Sequence, residues 1–227
     1  KKQSMLDIIS IGSASLDVFL STEYCMTLKQ KGAHSCRLQA YPIGGKILVH
    51  EIIFTTGGGG TNTAVAFSRL GLKAGYLGKL GNDHNAEVII NELKKEKVKD
   101  FSIKEKHGIS GYSVILDSHE HDRTIFTYKG VNNSLHWNEL PLAQLSAKWF
   151  YFSTLMGDSF KTQEKLAVWA KSHGSRIAFN ISSYLAKKGI PFLKGILSRT
   201  TIFVLNEEES ILLTKQMREL GMKTVFM

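Results

Sequence analysis

The sequence predicts an α/β fold with a mainly parallel central sheet flanked by helices. Short β-branched and apolar runs alternate along the chain with longer segments whose apolar residues recur at helical spacing. A helix between two strands makes those strands parallel neighbours, so the alternation indicates βαβ units. The composition agrees, because 43% of the 227 residues are hydrophobic and 22% are charged, as in ordinary globular domains.

The predicted strands and helices follow one another in a regular order. A strand over residues 7–12 ends at Gly12, and a helix over 62–70 ends before Gly71, a residue type that commonly terminates helices. The other predicted strands cover residues 74–78, 148–153, 176–179, 201–205 and 223–227, and the other predicted helices cover 84–96, 161–172 and 207–214.

Two stretches without helical patterns predict a small β-sheet attached to the core. Residues 18–56 include the strand-like run 46–54, and residues 111–129 include two β-rich runs, 112–116 and 124–128, around a turn. We expect this sheet to cover the site as a lid. The predicted division is an α/β core of residues 1–17, 57–110 and 130–227, and a β lid of residues 18–56 and 111–129.

Charge and composition disfavour several classes of function. The 29 Lys and Arg residues exceed the 20 Asp and Glu residues, giving a net charge of +9, but no basic stripe interleaved with aromatic residues predicts nucleic-acid binding. No apolar run approaches the ~20 residues of a membrane-spanning helix, so we expect no membrane partner and a cytoplasmic protein. Cys25 and Cys36 are expected to be reduced thiols.

The most informative segment is the glycine-rich run at residues 55–71, TTGGGGTNTAVAFSRLG. Four consecutive glycines let a ligand approach the backbone, and Asn62 lies near the predicted helix N-terminus, where free N–H groups favour electronegative ligand atoms. A flexible loop with an Asn cap is the alternative interpretation. The run matches neither the GxGxxG dinucleotide motif nor the P-loop.

Polar residues that follow two predicted strands favour a ligand-binding role for the glycine-rich run. Asp17 comes just beyond the first predicted strand, at the edge where open α/β sheets bind ligands. The segment Asn206-Glu-Glu-Glu209 follows a late strand, and an Asn-led acidic segment is also a good helix N-terminus.

In combination, these motifs resemble those of the ribokinase family, the PfkB-type carbohydrate kinases. GGGGTNTAVAFSRLG is similar to the family's first signature, and GYLGKLGND at residues 75–83 and the segment Gly130-Val-Asn132 are similar to later ones. The resemblance covers essentially the whole chain. It implies a ribokinase-like, Rossmann-type sandwich with a β lid, and ATP-dependent phosphorylation of a hydroxymethyl group on a sugar or nucleoside.

The resemblance also implies which residues bind the acceptor. Asp17 and Asn62 resemble the family's residues that hydrogen-bond sugar hydroxyls, and Gly58 and Gly59 resemble hinge glycines that lie against the sugar. Asn132 is similar to a position near the substrate, and a turn Asn is an equal alternative for it.

For the nucleotide, the resemblance implies ATP with Mg²⁺ and, as an optional addition, a monovalent cation. Asn180 resembles a strand-end Asn near the nucleotide phosphates, and Asn206 and Glu209 resemble an NxxE motif that organises Mg²⁺ through water. A hard cation prefers oxygen ligands and keeps several waters, so Glu209 is the metal candidate. Helix capping remains the alternative for these residues.

The chain departs from the family pattern in its last part. The family's late signature resembles DTxGAGD, whose Asp removes the acceptor's proton, and nothing of that form is found here; Met156-Gly-Asp158 lacks the glycines. We expect the catalytic base to belong to a segment outside this sequence. The alternative function is a non-catalytic sugar- or nucleoside-binding protein, and nucleic-acid binding ranks third.

The identity of the acceptor and the oligomeric state stay open at this point. The segment Phe179-Asn-Ile-Ser182 resembles the nucleoside-kinase branch of the family and so favours a nucleoside, whereas the positive net charge favours a phosphorylated sugar. Exposed strands of the lid would offer an edge to a second copy, so a homodimer through the lid is a possible assembly.

Overall fold

The computed structural model describes residues 5–30, 36–117 and 123–219. The strands are β1 (Leu6–Ile11), β2 (Ser15–Ser21), β3 (Met26–Gln30), β4 (Cys36–Ala40), β5 (Glu51–Gly57), β6 (Ala74–Leu77), β7 (Lys79–Gly81), β8 (Lys99–Asp100), β9 (Ile103–Glu105), β10 (Gly111–Asp117), β11 (Arg123–Tyr128), β12 (Ala147–Phe152), β13 (Arg176–Asn180) and β14 (Ile202–Val204). The helices are α1 (Gly59–Arg69), α2 (His84–Lys95), α3 (Gly157–Ser172), α4 (Ser183–Ala186), α5 (Gly189–Leu197) and α6 (Glu207–Glu219), with 3₁₀ helices at Gly130–Asn133, Trp137–Glu139 and Leu142–Gln144.

Six strands form the central sheet in the spatial order β14-β13-β12-β1-β6-β8, and every neighbouring pair is parallel. Its middle is fully buried: Ile9 of β1 lies opposite Phe150 of β12, and both side chains are inaccessible to solvent, as is Phe179 of β13. Burial on both faces explains why these strands appear in the sequence as continuous apolar runs. The predicted parallel α/β fold is confirmed.

A second, four-stranded sheet has the order β11-β10-β2-β5. β2 pairs in parallel with β10, and the outer pairs are antiparallel. The hairpin of β3 and β4 stands between β2 and β5 in the chain. This sheet occupies the region where the sequence predicts additional strands, and its role as a lid stays a prediction.

Several predicted boundaries need correction. Asp17 lies inside β2 rather than just beyond the first strand, and the strand predicted over 46–54 begins only at Glu51. The helix predicted over 62–70 begins at Gly59, because Gly59 and Gly60 themselves form its first turn. Helices α4 and α5 were not predicted, and the strand predicted over 223–227 lies outside the described residues.

Within the described ranges, every helix is too short or too polar to cross a lipid bilayer.

Candidate active site

A cleft opens between the four-stranded sheet and the carboxyl ends of the central strands. It consists of two adjoining cavities of about 350 and 230 Å³. The larger, which we call the sheet-side cavity, faces β2, β10 and β11; the smaller, the strand-end cavity, lies where β12 and β13 end. Both are lined by Ser13, Gly59, Lys129, Asn132 and Tyr184, so they form one continuous cleft.

Asp17 faces the sheet-side cavity from the middle of β2. Its Oδ1 accepts a hydrogen bond from the Ser15 hydroxyl at 2.7 Å, and its Oδ2 accepts none from the described residues. The carboxylate lies so close to Gly57 that a side chain at that glycine would collide with it. One carboxylate oxygen is therefore held in place while the other is available to a ligand hydroxyl.

The glycine run brings α1 against the β1–β2 connection. Gly58 has φ 101°, and a Cβ there would collide with the backbone of Ser13 and Ala14. A Cβ on Gly60 would lie 2.7 Å from the Gly12 carbonyl carbon. Gly58 and Gly59 line the sheet-side cavity, and their predicted contact with the sugar stays a prediction. Only glycine can take positions 58 and 60, because Gly58 has a positive φ and Gly60 lies too close to the backbone of Gly12 for a Cβ.

The first turn of α1 is capped from a distance by Ser13, a residue that the sequence analysis did not single out. The Ser13 carbonyl accepts the N–H groups of Gly60 at 2.9 Å and Thr61 at 3.4 Å, and its hydroxyl accepts that of Gly59 at 3.3 Å. Ser13 lines both cavities. Its position immediately after Gly12, at the end of β1, was the available signal.

Asn62 does not cap the helix, which corrects that alternative. It is the fourth residue of α1, and its N–H already donates to the Gly58 carbonyl at 3.0 Å. The side chain is exposed and lines neither cavity. Its predicted contact with a sugar hydroxyl stays a prediction.

Asn132 is buried, at 3% exposure, and its amide bonds to the backbone of two segments. Oδ1 accepts from Ala14 N at 2.9 Å, and Nδ2 donates to Ala14 O at 2.9 Å and to Lys129 O at 2.7 Å. Both amide hydrogens are used in these bonds. Asn132 therefore joins the start of β2 to the segment that follows β11, and it presents its remaining surface to both cavities.

An ion cluster centred on the buried Lys79 contacts the segment that follows β11. Lys79 Nζ contacts Glu105 and Glu139 at 2.7 Å each and donates to Ser134 O at 3.0 Å, and its side chain is only 1% exposed. Burial alone would lower the pKa of Lys79, but the hydrogen bonds to the two glutamates outweigh it and raise that pKa. Conversely, burial would raise the pKa of Glu139, and the bond from Lys79 outweighs it and lowers that pKa.

The residues predicted to bind nucleotide divide into two groups. Asn180 lines the strand-end cavity, with its Nδ2 donating to Val204 O at 3.0 Å. Asn206 and Glu209 line neither cavity and bond reciprocally: Glu209 N donates to Asn206 Oδ1 at 2.8 Å, and Asn206 N donates to Glu209 Oε2 at 2.9 Å. This is a capping box at the start of α6, so the capping interpretation is confirmed for this pair.

The described residues offer limited means of holding a metal directly. They contain no group of three or more His, Cys, Asp or Glu side chains that could bind one. Glu209 is buried at 6% exposure, with Oε2 committed to Asn206.

Similarity to solved structures identifies the fold. A ribokinase of Arabidopsis thaliana, solved with ribose and ATP, has a TM-score of 0.75 at 20% identity, with 93% of this chain and 64% of that chain covered. A nucleoside kinase of Methanocaldococcus jannaschii has a TM-score of 0.70 at 19% identity, with 96% and 66% covered. The fold is therefore that of the ribokinase-like α/β sandwiches.

The family follows from the sequence itself. The model of the pfkB family of carbohydrate kinases matches residues 31–221, and this chain belongs to that family. An uncharacterized sugar kinase of Archaeoglobus fulgidus is 26% identical over 152 residues, which are 64% of this chain and 58% of that protein. The ribokinase of Bacillus subtilis is 32% identical over 132 residues, 58% of this chain and 40% of the relative. The chain thus spans less than two thirds of these relatives.

Proposed function

We propose that this sugar-kinase-family chain acts in ATP-dependent phosphorylation of a hydroxymethyl group on a sugar or nucleoside. The observation that carries the proposal is the meeting of Asp17, Gly58 and Gly59 in one cavity that continues to the ends of β12 and β13. ATP as donor is supported by the Arabidopsis ribokinase solved with ribose and ATP and by a Cryptococcus neoformans ribokinase solved with ADP.

In this proposal the sheet-side cavity fixes the acceptor. The free Oδ2 of Asp17 accepts hydrogen bonds from acceptor hydroxyls, and such charge-assisted bonds are roughly twice as strong as neutral ones. Ser113 and Thr127, whose hydroxyl oxygens lie 3.5 Å apart beside Asp17, add neutral partners. Phosphoryl transfer depends mainly on positioning and electrostatic stabilisation, so a rigid acceptor site accounts for a large share of the rate.

The nucleotide occupies the strand-end side in the same proposal. Asn180 contacts the phosphates, and Asn206 and Glu209 lie beyond it, with Glu209 reaching Mg²⁺ through water. Mg²⁺ supplies neutralisation of the phosphate charge when it is bound, and a monovalent cation is an additional candidate. The base that accepts the acceptor's proton belongs, in our proposal, to a segment outside this sequence. We also propose that the reaction takes place in the cytoplasm.

The test is phosphate transfer from ATP by the intact protein to a panel of sugars and nucleosides. Turnover of at least one acceptor is expected, and no turnover of any would contradict the kinase. The second candidate, a non-catalytic sugar- or nucleoside-binding protein, is favoured by one observation: the Asn206–Glu209 pair is already used in a cap. Acceptor binding without any transfer would select this candidate.

We also propose that a second copy of the chain packs on the four-stranded sheet. On the face opposite Asp17, the register aligns Phe126, Val114, Val18 and Phe54 in one row across all four strands. Phe54 and Phe126, at the two ends of the row, are 60% and 61% exposed, whereas Val18 between them is buried at 3%. The outer strands β5 and β11 thus present exposed apolar side chains, which mark an interaction surface. Light scattering should show a dimer that Phe54→Asp converts to a monomer; a monomeric wild type would contradict it.

A further inference from the structure

The inner face of the four-stranded sheet changes from polar to apolar with distance from the core. One row across the strands consists of Thr55, Asp17, Ser113 and Thr127, and the next row on the same face consists of Ile53, Phe19, Ile115 and Ile125. Residues two apart in a strand are separated by ~7 Å, so the rows are about one sugar ring apart. Asp17, Ser113, Thr127, Ile115 and Ile125 all line the sheet-side cavity.

The apolar end of the cavity is accessible to a ligand at the edge strand β11. Ile125 is 48% exposed and lines the cavity, whereas Ile115 beside it is buried at 3% exposure. An apolar wall next to a few polar groups that fix orientation is typical of sites that bind an organic ring.

The charge in the cleft is balanced, although the whole chain carries +9. Among the described residues that line the two cavities, Asp17 is the only acidic one and Lys129 the only basic one. Lys129 lines both cavities, so it lies toward the strand ends rather than at the apolar row. Among the described residues that line the apolar row, none is an arginine or lysine, and a phosphate dianion on the far end of an acceptor is normally bound by such cations.

We propose that the acceptor is a nucleoside-type molecule, an uncharged sugar joined to a flat heterocycle, rather than a free or a phosphorylated sugar. The inference rests on the proposed function, because it assumes that the sheet-side cavity is the acceptor site. The sugar hydroxyls bond to Asp17, Ser113 and Thr127, while the heterocycle packs on the exposed Ile125.

The test is calorimetric binding of adenosine, cytidine, ribose and fructose 6-phosphate to the full chain. We expect one of the nucleosides to bind at least about tenfold more tightly than ribose, and fructose 6-phosphate to bind most weakly. Ile125→Ser should weaken nucleoside binding by about tenfold and leave ribose binding unchanged, because only the heterocycle loses its contact. The control is Val168→Ser on α3, a β-branched residue of matching exposure at 49%, which should change neither.

The outcomes separate the inference from the proposed function. Equal or tighter binding of ribose or fructose 6-phosphate would overturn the nucleoside inference and leave a sugar kinase standing. Nucleoside binding without phosphate transfer by the intact protein would support the inference and contradict the kinase. Binding of none of the four compounds would overturn both the inference and the acceptor site on which it rests.

Discussion

At the sheet side of the cleft, Asp17 and two glycines of the α1 entry face a shared cavity, whereas Asn206 and Glu209 bond to each other outside it. The first group is held by backbone geometry: Gly58 at positive φ, Ser13 capping α1, and Asn132 joining β2 to the segment after β11. The second group is held by a local cap between residues three apart in the sequence. The difference teaches that the proposed acceptor site is built from backbone contacts of the fold itself, whereas the proposed Mg²⁺ contact would fall to residues that already cap a helix.

The largest effect is expected at the glycine entry. Gly58→Val should destabilise the fold by about 3 kcal/mol or more and abolish acceptor binding, because the new side chain meets the Ser13 carbonyl at a backbone conformation that disfavours it. Urea denaturation and calorimetry would measure both. The control is Gly71→Ala, where φ is 88° but no atom lies within 4 Å, so only the conformational cost of about 1 kcal/mol applies. Equal losses in the two variants would show that the close approach at Gly58 does not matter.

The next largest loss of stability is expected at the ion cluster of Lys79, Glu105 and Glu139. Lys79→Met should cost about 3 kcal/mol, since it leaves two partly buried glutamates without their cation. The pH dependence follows from Glu139, whose folded pKa lies below its ordinary value of 4.5. Its ionised form therefore stabilises the fold above that pH, and this contribution is lost as the pH falls through the lowered pKa. Lys79→Met should flatten this acid-side slope in urea denaturations; an unchanged slope would exclude the cluster as its source.

Substitution of Asn132 tests whether this residue mainly stabilises the fold, by linking two backbone segments, or mainly binds the acceptor. Asn132→Asp keeps the shape but removes the donors to Ala14 O and Lys129 O, so we expect a loss of about 2 kcal/mol. The neighbouring Asn133→Asp should stay within about 0.5 kcal/mol of the wild type, as is usual for residues outside such networks. If Asn132→Asp keeps full stability and loses only acceptor affinity, Asn132 binds the acceptor directly and its backbone hydrogen bonds do not stabilise the fold.

The smallest effect on stability is expected at Glu209, where substitution mainly tests Mg·ATP binding. Glu209→Gln keeps the capping bond to Asn206 N and should leave stability within about 0.5 kcal/mol, whereas Glu209→Ala should cost about 1 kcal/mol. If Glu209 also reaches Mg²⁺ through water, both variants should weaken Mg·ATP binding by about tenfold. Unchanged Mg·ATP binding in Glu209→Gln would show that Glu209 only caps α6 and does not contribute to the nucleotide site.

The sequence revealed the central sheet because its buried strands are continuous apolar runs separated by helices with clear ends. Helices α4 and α5 were missed because residues 183–197 contain two glycines and a proline, which obscure the helical pattern. The start of α1 was placed too late because a glycine run looks like a loop. Here its first turn is stabilised by Ser13, 46 residues earlier in the chain.

The candidate site was predictable where a motif is local and unpredictable where a bond is distant. Asp17, Gly58 and Gly59 could be chosen from short motifs, and the structure places all three in one cavity. The bonds of Asn132 to Ala14 join residues 118 apart in the sequence, so no local pattern indicates them. The polar and apolar rows depend on the register of four strands, which the sequence did not specify.

The most direct test of the central claim is calorimetric titration of the acceptor into the wild-type chain and Asp17→Asn. The claim is that the sheet-side cavity binds a hydroxylated acceptor through the carboxylate of Asp17. Loss of a charge-assisted hydrogen bond predicts about 10- to 100-fold weaker binding in Asp17→Asn, and Glu87→Gln on the exposed face of α2 should bind as the wild type does. Equal acceptor affinity in the wild type and Asp17→Asn would contradict the claim.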